Sequence, residues 1–244
     1  MWVTAIIAAG GSGKRLGGDI PKQFQLLAGR PVLAHTIGAF DRLDIIGGIV
    51  VAVPAGYRQH TSEIVAGQGF KKVRVVTEGG TNRAASIYAA LKALQSGNGH
   101  RETPGGEPGI VLIHDGVRPF VSETQIRAVA QAAKTHTAAI SGTPLTDTLK
   151  EVSESAQVLS TPDRKRYWRV QTPQGFTYDV IMRAYAQGET DGILPQATDD
   201  SMLVERLGIP VRMVEGEPGN IKITTIEDMT LGEIFLKHTI PPST

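Results

Sequence analysis

Short apolar runs alternate with helical patterns along the first two thirds of this chain. Runs with the length and apolar content of buried strands cover residues 2–8, 45–53, 73–77, 110–114 and 138–142. Helical periodicity lies between them, at about 31–40, 57–66, 82–94 and 123–135. This alternation predicts an α/β fold, with a mostly parallel sheet covered by helices on both faces. Ligands bind such sheets at the carboxyl ends of the strands.

Composition narrows the class of protein. With 244 residues, 41% apolar and 20% charged, the chain is expected to form a single domain over residues 1–244. A net charge of +1 indicates no nucleic-acid partner. The lack of cysteine excludes disulfides, thiolate nucleophiles and zinc–cysteine sites. No basic leader and no apolar run long enough for a bilayer is evident, so we expect a cytoplasmic protein without a membrane partner.

A glycine-rich loop follows the first strand. Residues 8–23 read Ala-Ala-Gly-Gly-Ser-Gly-Lys-Arg-Leu-Gly-Gly-Asp-Ile-Pro-Lys-Gln. Glycines without side chains let backbone N–H groups approach a polyanion closely. The loop also carries the cations Lys14, Arg15 and Lys22. This pattern is suited to holding a triphosphate and to stabilising charge that develops on it.

The loop matches neither of the common phosphate-binding motifs. In the Walker register, Ala8 replaces the first glycine and Arg15 replaces the hydroxyl residue. In the dinucleotide register, Leu16 replaces the last glycine. A glycine-rich turn with solvated cations is the alternative interpretation.

A second candidate group follows the run 110–114. Asp115 is expected at a strand's carboxyl end, on the same sheet edge as the glycine loop. A carboxylate there can hold magnesium against phosphate oxygens, and Arg118 can form a fork with a phosphate. The alternative for Asp115 is a turn or cap residue. His114 is expected to be a packed strand residue rather than a general base.

Three further segments carry candidate residues. Gly79 and Gly80 precede a helix, where backbone groups and the Ser86 hydroxyl can reach a base or ribose; a plain capped turn is the alternative. Residues 198–200, Thr-Asp-Asp, begin a helical pattern and are alternatively first-turn charges. Residues 220–224 are predicted to form a strand containing Lys222, followed by a Thr224–Glu227 capping box.

Residues 144–171 interrupt the alternation. The segment contains short patches in which apolar and polar residues alternate, and a basic cluster at residues 164–166. Its apolar content is too low to form a hydrophobic core of its own. We predict a protruding β-arm that pairs with the same arm of a second subunit, which makes the protein a homodimer. A surface excursion without a partner is the alternative.

These motifs together resemble a known family. The glycine loop, Pro21-Lys22-Gln23-Phe24, the segments 114–119 (His-Asp-Gly-Val-Arg-Pro) and 172–174 (Thr-Pro-Gln), Thr198-Asp199-Asp200 and 220–224 (Asn-Ile-Lys-Ile-Thr) are similar to those of the 2-C-methyl-D-erythritol 4-phosphate cytidylyltransferases. The resemblance implies a three-layer α/β/α Rossmann-like nucleotidyltransferase fold. It also implies transfer of CMP from CTP to methylerythritol phosphate with Mg²⁺, in isoprenoid precursor synthesis. The set contains no nucleophile–base pair, which suits a reaction driven by positioning and charge.

The resemblance assigns roles residue by residue. It implies catalytic roles for Arg15, Lys22, Lys222 and Arg164, the last presented by the partner's arm. Nucleotide-binding residues would be Ala8, Ala9, Gly10, Gly11, Gly13, Gly79, Gly80, Arg83 and Ser86. Acceptor-binding residues would be Arg118, Thr148, Arg164, Thr172, Thr198 and Lys222, and the metal ligand would be Asp115.

Two alternatives remain open at this point. Residues 114–118 also resemble the sister family that uses ribitol 5-phosphate, whereas residues 168–172 favour methylerythritol phosphate. A nucleotide-binding regulatory module without turnover would keep the glycine loop but need no acceptor pocket. Release of pyrophosphate from CTP with each candidate acceptor distinguishes the three.

Overall fold

A computed structural model describes residues 2–11, 20–95 and 109–239 of the chain. Within these segments, seven strands form a central sheet in the order β11-β7-β10-β6-β1-β4-β5. These strands are β1 (Val3–Ala8), β4 (Ile46–Val53), β5 (Val73–Glu78), β6 (Ile110–Asp115), β7 (Ala138–Pro144), β10 (Trp168–Thr177) and β11 (Arg212–Glu215). Two small antiparallel pairs are β2 (Leu26–Leu27) with β3 (Arg30–Pro31), and β8 (Glu151–Val152) with β9 (Val158–Ser160).

Helices lie between the strands and cover the sheet. They are α1 (Val32–Asp41), α2 (Arg58–Gly67), α3 (Arg83–Gln95), α4 (Glu123–His136), α5 (Tyr178–Thr190), α6 (Ser201–Glu205) and α7 (Ile226–Thr239). Short 3₁₀ turns occupy Lys22–Phe24, Arg164–Arg166 and Leu194–Gln196. No helix in the described segments is long and apolar enough to cross a bilayer.

The predicted α/β architecture is confirmed. Strands β1, β4, β5 and β6 pair in parallel, as does β11 with β7. Their ends agree with the apolar runs to within one or two residues. Among the described strands of this sheet, β10 alone is antiparallel to its neighbours, β6 and β7.

Alternation along the parallel strands divides the core between the two faces of the sheet. In β1, Ile7 packs with Leu33 of α1 on one side, whereas Ile6 packs with Ile87 of α3 on the other. Successive side chains of a strand point to opposite faces, so a strand covered on both faces reads as one continuous apolar run. This burial explains why the sequence predicted these strands so closely.

Parallel pairing also brings separate loops together at one edge. Ala8 at the end of β1 lies opposite Asp115 of β6 and Ala52 of β4 in the sheet register. The glycine loop, the turn after β6 and the loop after β5 therefore emerge side by side.

Residues 145–167 lie outside the central sheet, whereas residue 144 and residues 168–171, predicted as parts of the arm, belong to β7 and β10 of the sheet. The β8–β9 pair is exposed, and Val152, Val158 and Leu159 each keep more than half of their surface in solvent. Trp168 at the start of β10 is also exposed, although it already pairs with Pro144 of β7 in the central sheet. The segment has the extended form that the prediction of an arm requires.

Two local predictions were wrong. Residues 220–224 form no strand; Arg118 donates to the Asn220 carbonyl and Ile223 N–H donates to Val117, so this stretch is tied to the turn after β6. The final helix is capped one residue later than predicted. Asp228, rather than Glu227, accepts the N–H groups of Thr224 and Thr225.

Candidate active site

A cavity of about 380 Å³ lies at the carboxyl ends of β1 and β6. Its walls come from the glycine loop, the turn after β6, the start of α3 and the segment before α7. The lining residues are Ala8, Ala9, Gly10, Gly11, Lys22, Gln23, Thr81, Asn82, Arg83, Ser86, Asp115, Val117 and Lys222. The lining therefore includes half of the site residues that the sequence predicted. Gly79, Gly80 and Arg118 do not line the cavity, although Gly80 bonds to Ser86 and Arg118 to Asp115.

Asp115 stands at the centre of a cluster of cations. Its Oδ2 atom lies 2.9 Å from Nζ of Lys222 and 3.2 Å from Nε of Arg118. Its Oδ1 atom lies 3.4 Å from Nε of Arg83. The Asp115 carboxylate thus draws cations from three separate segments to the floor of the cavity.

The three cations decide the ionisation state of this carboxylate. Burial alone would raise the pKa of Asp115, but the charges of Arg83, Lys222 and Arg118 outweigh it and hold the pKa well below its usual range. Asp115 is therefore ionised at neutral pH. The interpretation of Asp115 as an ordinary turn residue does not account for these contacts.

Arg83 has a second carboxylate partner that the sequence did not reveal. Its guanidinium forms a bidentate pair with Asp200, with Nη1–Oδ1 and Nη2–Oδ2 distances of 3.1 Å and 2.7 Å. Asp200 is fully buried and also accepts a hydrogen bond from Tyr185, and this contact and burial keep the pKa of Tyr185 raised. Burial lowers the pKa of Arg83, but the charges of Asp200 and Asp115 outweigh burial and raise this pKa above its usual value. Arg83 is therefore a permanent cation.

Ser86 explains the glycines on both sides of the cavity. A Cβ atom at Gly10 would lie 2.7 Å from the Ser86 oxygen, and one at Gly79 would lie 2.4 Å from it. The Ser86 hydroxyl accepts from Gly80 N–H and donates to the Asn82 carbonyl. These glycines are therefore required for close contact between two loops. Asn82 also caps α3 by accepting from Ala85 N–H, as the alternative of a capped turn proposed.

Gln23 is a site residue that the sequence analysis did not assign. It is buried, and its side-chain amide donates to the carbonyls of Ala9 and Gly11 at 2.6 Å and 3.1 Å. These bonds hold the start of the glycine loop against the 3₁₀ turn that carries Lys22. Its position beside Lys22 in the recognised motif was the available signal.

Other predicted site residues lie outside the cavity wall. Thr148 and Arg164 belong to the arm, where Arg164 donates to the Thr146 carbonyl. Thr172 is buried behind Asp115, and Thr198 precedes α6. The predicted residues Gly13 and Arg15 lie outside the described residues, as does Lys14.

The donor set suits a magnesium ion that arrives with a nucleotide. Such ions are bound by one or two carboxylates plus phosphate oxygens. No cluster of three or more His, Asp or Glu residues within the described segments is placed to hold a metal unaided. Asp115 supplies one ionised carboxylate at the cavity, which fits this pattern. A metal ion there would have to replace part of the contacts with the surrounding cations.

Comparisons with known proteins agree on one family. The model of the 2-C-methyl-D-erythritol 4-phosphate cytidylyltransferase family matches residues 3–238. A protein of that name from Geobacter metallireducens is 43% identical over 242 residues, covering 99% of this chain and all of the relative. Another from Symbiobacterium thermophilum is 42% identical, covering 97% of this chain and 93% of the relative.

Solved structures give the same result. The crystal structure of 4-diphosphocytidyl-2C-methyl-D-erythritol synthase from Anaerococcus prevotii matches with a TM-score of 0.81 at 31% identity, covering 97% of this chain and 96% of that one. The crystal structure of 2-C-methyl-D-erythritol 4-phosphate cytidylyltransferase from Thermus thermophilus matches with a TM-score of 0.74 at 31% identity, covering 97% and 100%.

Proposed function

This chain belongs to the 2-C-methyl-D-erythritol 4-phosphate cytidylyltransferase family, and we propose that the cavity at the ends of β1 and β6 is its active site. The enzyme is a nucleotidyltransferase that transfers CMP from CTP to 2-C-methyl-D-erythritol 4-phosphate, in isoprenoid precursor synthesis. The products are 4-diphosphocytidyl-2-C-methyl-D-erythritol and pyrophosphate. The observation that carries the assignment of the site is the ionised Asp115 surrounded by Arg83, Arg118 and Lys222 beside the glycine loop.

The nucleotide occupies the side of the cavity formed by the glycine loop and α3. Backbone groups at Gly10 and Gly11 and the hydroxyl of Ser86 line the cavity and are small enough to let a nucleoside and its phosphates approach closely. The amino end of α3 adds partial positive charge. Arg83 acts here mainly by orienting Asp115 and Asp200, since its guanidinium is already paired with both carboxylates.

Chemistry at this site requires charge stabilisation more than a nucleophilic side chain. A phosphate oxygen of the acceptor attacks the α-phosphorus of CTP, a new P–O bond forms, and the bond to the departing pyrophosphate breaks. Lys22 and Lys222 both line the cavity, where their charges stabilise the extra negative charge of the transition state. A magnesium ion held by Asp115 and phosphate oxygens would add to that stabilisation.

The acceptor occupies the side of the cavity near Lys222 and Arg118. Arg118 donates to the carbonyl of Asn220 as well as to Asp115, so it fixes the segment that presents Lys222. Both cations lie where the phosphate of the acceptor must be held against the α-phosphorus of CTP. Thr172 and Thr198 belong to the surroundings of this subsite rather than to the cavity wall.

A second copy of the chain completes the site through its arm. Arg164 and Thr148 line no part of the cavity within one chain, and the arm exposes apolar side chains that a partner can cover. An arm that crosses to a second subunit would bring a guanidinium suited to a phosphate into that subunit's acceptor site. The proposed functional unit is therefore a homodimer.

The direct test measures pyrophosphate release and the diphosphate product by ³¹P NMR. Wild-type protein with CTP, Mg²⁺ and methylerythritol phosphate should form both products, while CTP alone should form neither. Lys222→Ala should lower turnover by about 100-fold or more, the usual scale for one preorganised charge donor. Lys134→Ala, an exposed lysine of α4, is the matched control and should behave like wild type.

Each contrary result has a distinct meaning. Faster turnover with ribitol 5-phosphate than with methylerythritol phosphate would transfer the protein to the sister activity. Binding of CTP without pyrophosphate release for either acceptor would favour the regulatory module. Wild-type turnover by Lys222→Ala would contradict the assigned site.

A further inference from the structure

His114 is a buried polar residue with no part in the reaction as described so far. It lies in β6 directly before Asp115, has no exposed surface, and does not line the cavity. The ring of Phe40 packs against its imidazole at a centroid distance of 5.0 Å. Packing alone would be served as well by an apolar side chain, so the polar contacts of the ring need their own explanation.

Both ring nitrogens of His114 have partners. Nε2 lies 3.0 Å from the carbonyl oxygen of Arg118, and Nδ1 lies 3.0 Å from Oγ1 of Thr172. The same Thr172 oxygen lies 3.1 Å from the backbone nitrogen of Asp115. The imidazole thus connects Arg118, at the far end of the 115–118 turn, with Thr172 of β10. The Thr172 hydroxyl in turn connects β10 with Asp115, at the near end of the turn.

The ring has no exposed surface and neither of its hydrogen-bond partners is charged, so it is neutral, and for a neutral ring only one arrangement of protons satisfies these contacts. A carbonyl can only accept, so Nε2 of His114 carries the hydrogen and donates to Arg118. Nδ1 must then accept, and the Thr172 hydroxyl donates to it. A lone pair of the same hydroxyl oxygen accepts from Asp115 N–H.

We propose that His114, as the neutral Nε2–H tautomer, is a positioning residue that fixes both ends of the turn carrying Asp115 and Arg118. This inference rests on the proposed function, because Asp115 and Arg118 are assigned there to the metal and the acceptor. It has a consequence for Thr172. The hydroxyl hydrogen is committed to His114, so toward the acceptor the Thr172 oxygen can only accept, for example from a hydroxyl group, and cannot donate to a phosphate.

Two substitutions separate the two ends of the imidazole. His114→Asn places an amide oxygen near the position of Nδ1 and can keep the bond from Thr172. His114→Gln places an amide nitrogen near the position of Nε2 and loses that bond. Each variant therefore breaks one of the two connections, and we expect each to lower kcat/KM for the acceptor about tenfold, about the scale of one hydrogen bond. The KM for CTP and the urea midpoint should be similar in the two variants.

Thr172→Val provides a second arm of the same experiment. It removes the hydroxyl while keeping the shape, and should reproduce the loss seen with His114→Gln. The double variant, His114→Gln with Thr172→Val, should have an acceptor kcat/KM only slightly lower than either single variant. Both substitutions break the same hydrogen bond, the one between His114 and Thr172. Acceptor kcat/KM values of both His114→Asn and His114→Gln that match the parent, or fully additive losses in the double variant, would overturn the proposal.

The tautomer itself can be measured in wild-type protein. ¹⁵N NMR of the His114 ring at pH 7 should show a protonated Nε2 and an unprotonated Nδ1. A protonated Nδ1 would overturn the proposal even if the variants failed to fold. Wild-type protein that shows this tautomer but transfers no CMP would instead contradict the proposed function, so the two failures are distinguishable.

Discussion

At Asp115, burial and charge act in opposite directions. Only 5% of the surface of Asp115 is exposed, and ionising a carboxylate at such a position is costly unless it has charged partners. Three cations from separate segments are those partners. Removing this single charge would leave three neighbouring cations without their shared partner. The site is therefore more sensitive to Asp115 than its small contribution to the cavity wall implies.

Asp115→Asn keeps the shape of the side chain and removes its charge. We expect turnover to fall by about 100-fold or more, and the Mg²⁺ concentration for half-maximal activity to rise. A magnesium titration of the steady-state rate measures both effects. Asp44→Asn, at an exposed carboxylate far along the chain, is the control. If Asp115→Asn shows the same magnesium dependence as the parent, the metal is not held by this residue.

Lys22→Ala removes a second cation from the cavity wall. Pro21 restricts the backbone where the 3₁₀ turn begins, so the position of the lysine is well defined. Turnover should fall by about two orders of magnitude or more, the scale of one preorganised charge donor. The midpoint of urea unfolding should hardly change. Lys71→Ala is the exposed control, and near wild-type turnover of Lys22→Ala would remove Lys22 from the transition state.

The residues of the site were predictable to different degrees. Asp115 and Lys22 follow recognisable segments, so their placement could be inferred from the order of strands and loops. The pair between Arg83 and Asp200 joins residues 117 positions apart, and nothing in the local sequence of either indicates the other. Long-range pairs of this kind depend on how separate helices pack, which local patterns do not determine.

At the scale of elements, burial decided which strands the sequence revealed. Strands β1, β4 and β6 are buried on both faces and were found as continuous apolar runs. Strand β10 was missed as a unit because its first residues are exposed, although they pair with β7, and its middle contains Pro173. Residues 220–224 have strand-like composition, but their polar groups bond to the turn after β6 instead of to a neighbouring strand.

Close contact between the glycine loop and α3 gives a stability prediction. Gly10→Ala would place a Cβ atom 2.7 Å from the Ser86 oxygen, so the loop and helix must separate. We expect a loss of about 1–3 kcal/mol in the free energy of unfolding, the usual cost of overpacking. Gly11→Ala is the matched control, because no atom of the described residues lies within 4 Å of a Cβ atom there.

A second substitution tests the cause of that loss. Adding Ser86→Ala to Gly10→Ala removes the oxygen and leaves only the Ser86 Cβ, at 3.3 Å. The double variant should recover part of the stability lost by Gly10→Ala in urea unfolding. No recovery would mean that the cost comes from the backbone of the loop rather than from Ser86.

The cap of α7 gives a pH-dependent prediction. Partial burial alone would raise the pKa of Asp228, but hydrogen bonds from Thr224 and Thr225 outweigh it and lower the pKa below its usual value. A carboxyl with a lowered folded pKa stabilises the fold above its unfolded pKa, near 4, and loses that contribution as the pH falls. Asp228→Asn should therefore cost about 1 kcal/mol at pH 7, typical of a cap.

The difference between parent and Asp228→Asn should shrink as urea unfolding is repeated from pH 7 toward pH 3. Glu233→Gln makes the same change of charge at an exposed position of the same helix. It should show no comparable pH-dependent difference. A cost for Asp228→Asn that stays constant over this range would show that the shape of the cap, and not its charge, stabilises α7.

At the scale of the whole molecule, the fold separates a rigid body from an extended arm. The central sheet is covered on both faces by apolar clusters, whereas Val152, Val158, Leu159 and Trp168 leave apolar surface exposed along the arm and its base. Such a surface is typical of a segment that is covered by another chain. The arm also carries Arg164, which one chain does not bring to its own cavity.

Complementation between two inactive subunits tests whether each site uses two chains. Arg164→Ala lacks the arm guanidinium, and Lys22→Ala lacks a cation of the cavity wall. In a mixed dimer with crossed arms, one site combines an intact Lys22 with the partner's intact Arg164, while the other site lacks both. Random exchange makes about half of the dimers mixed, so activity should return to about a quarter of the parent value by two-fold symmetry. Exchange is verified by mass spectrometry of differently tagged subunits. If Arg164 acts within its own chain, every site of the mixed dimer lacks one of the two cations and no activity returns. Verified exchange without recovered activity would therefore contradict the shared site and limit the role of the arm to dimerisation.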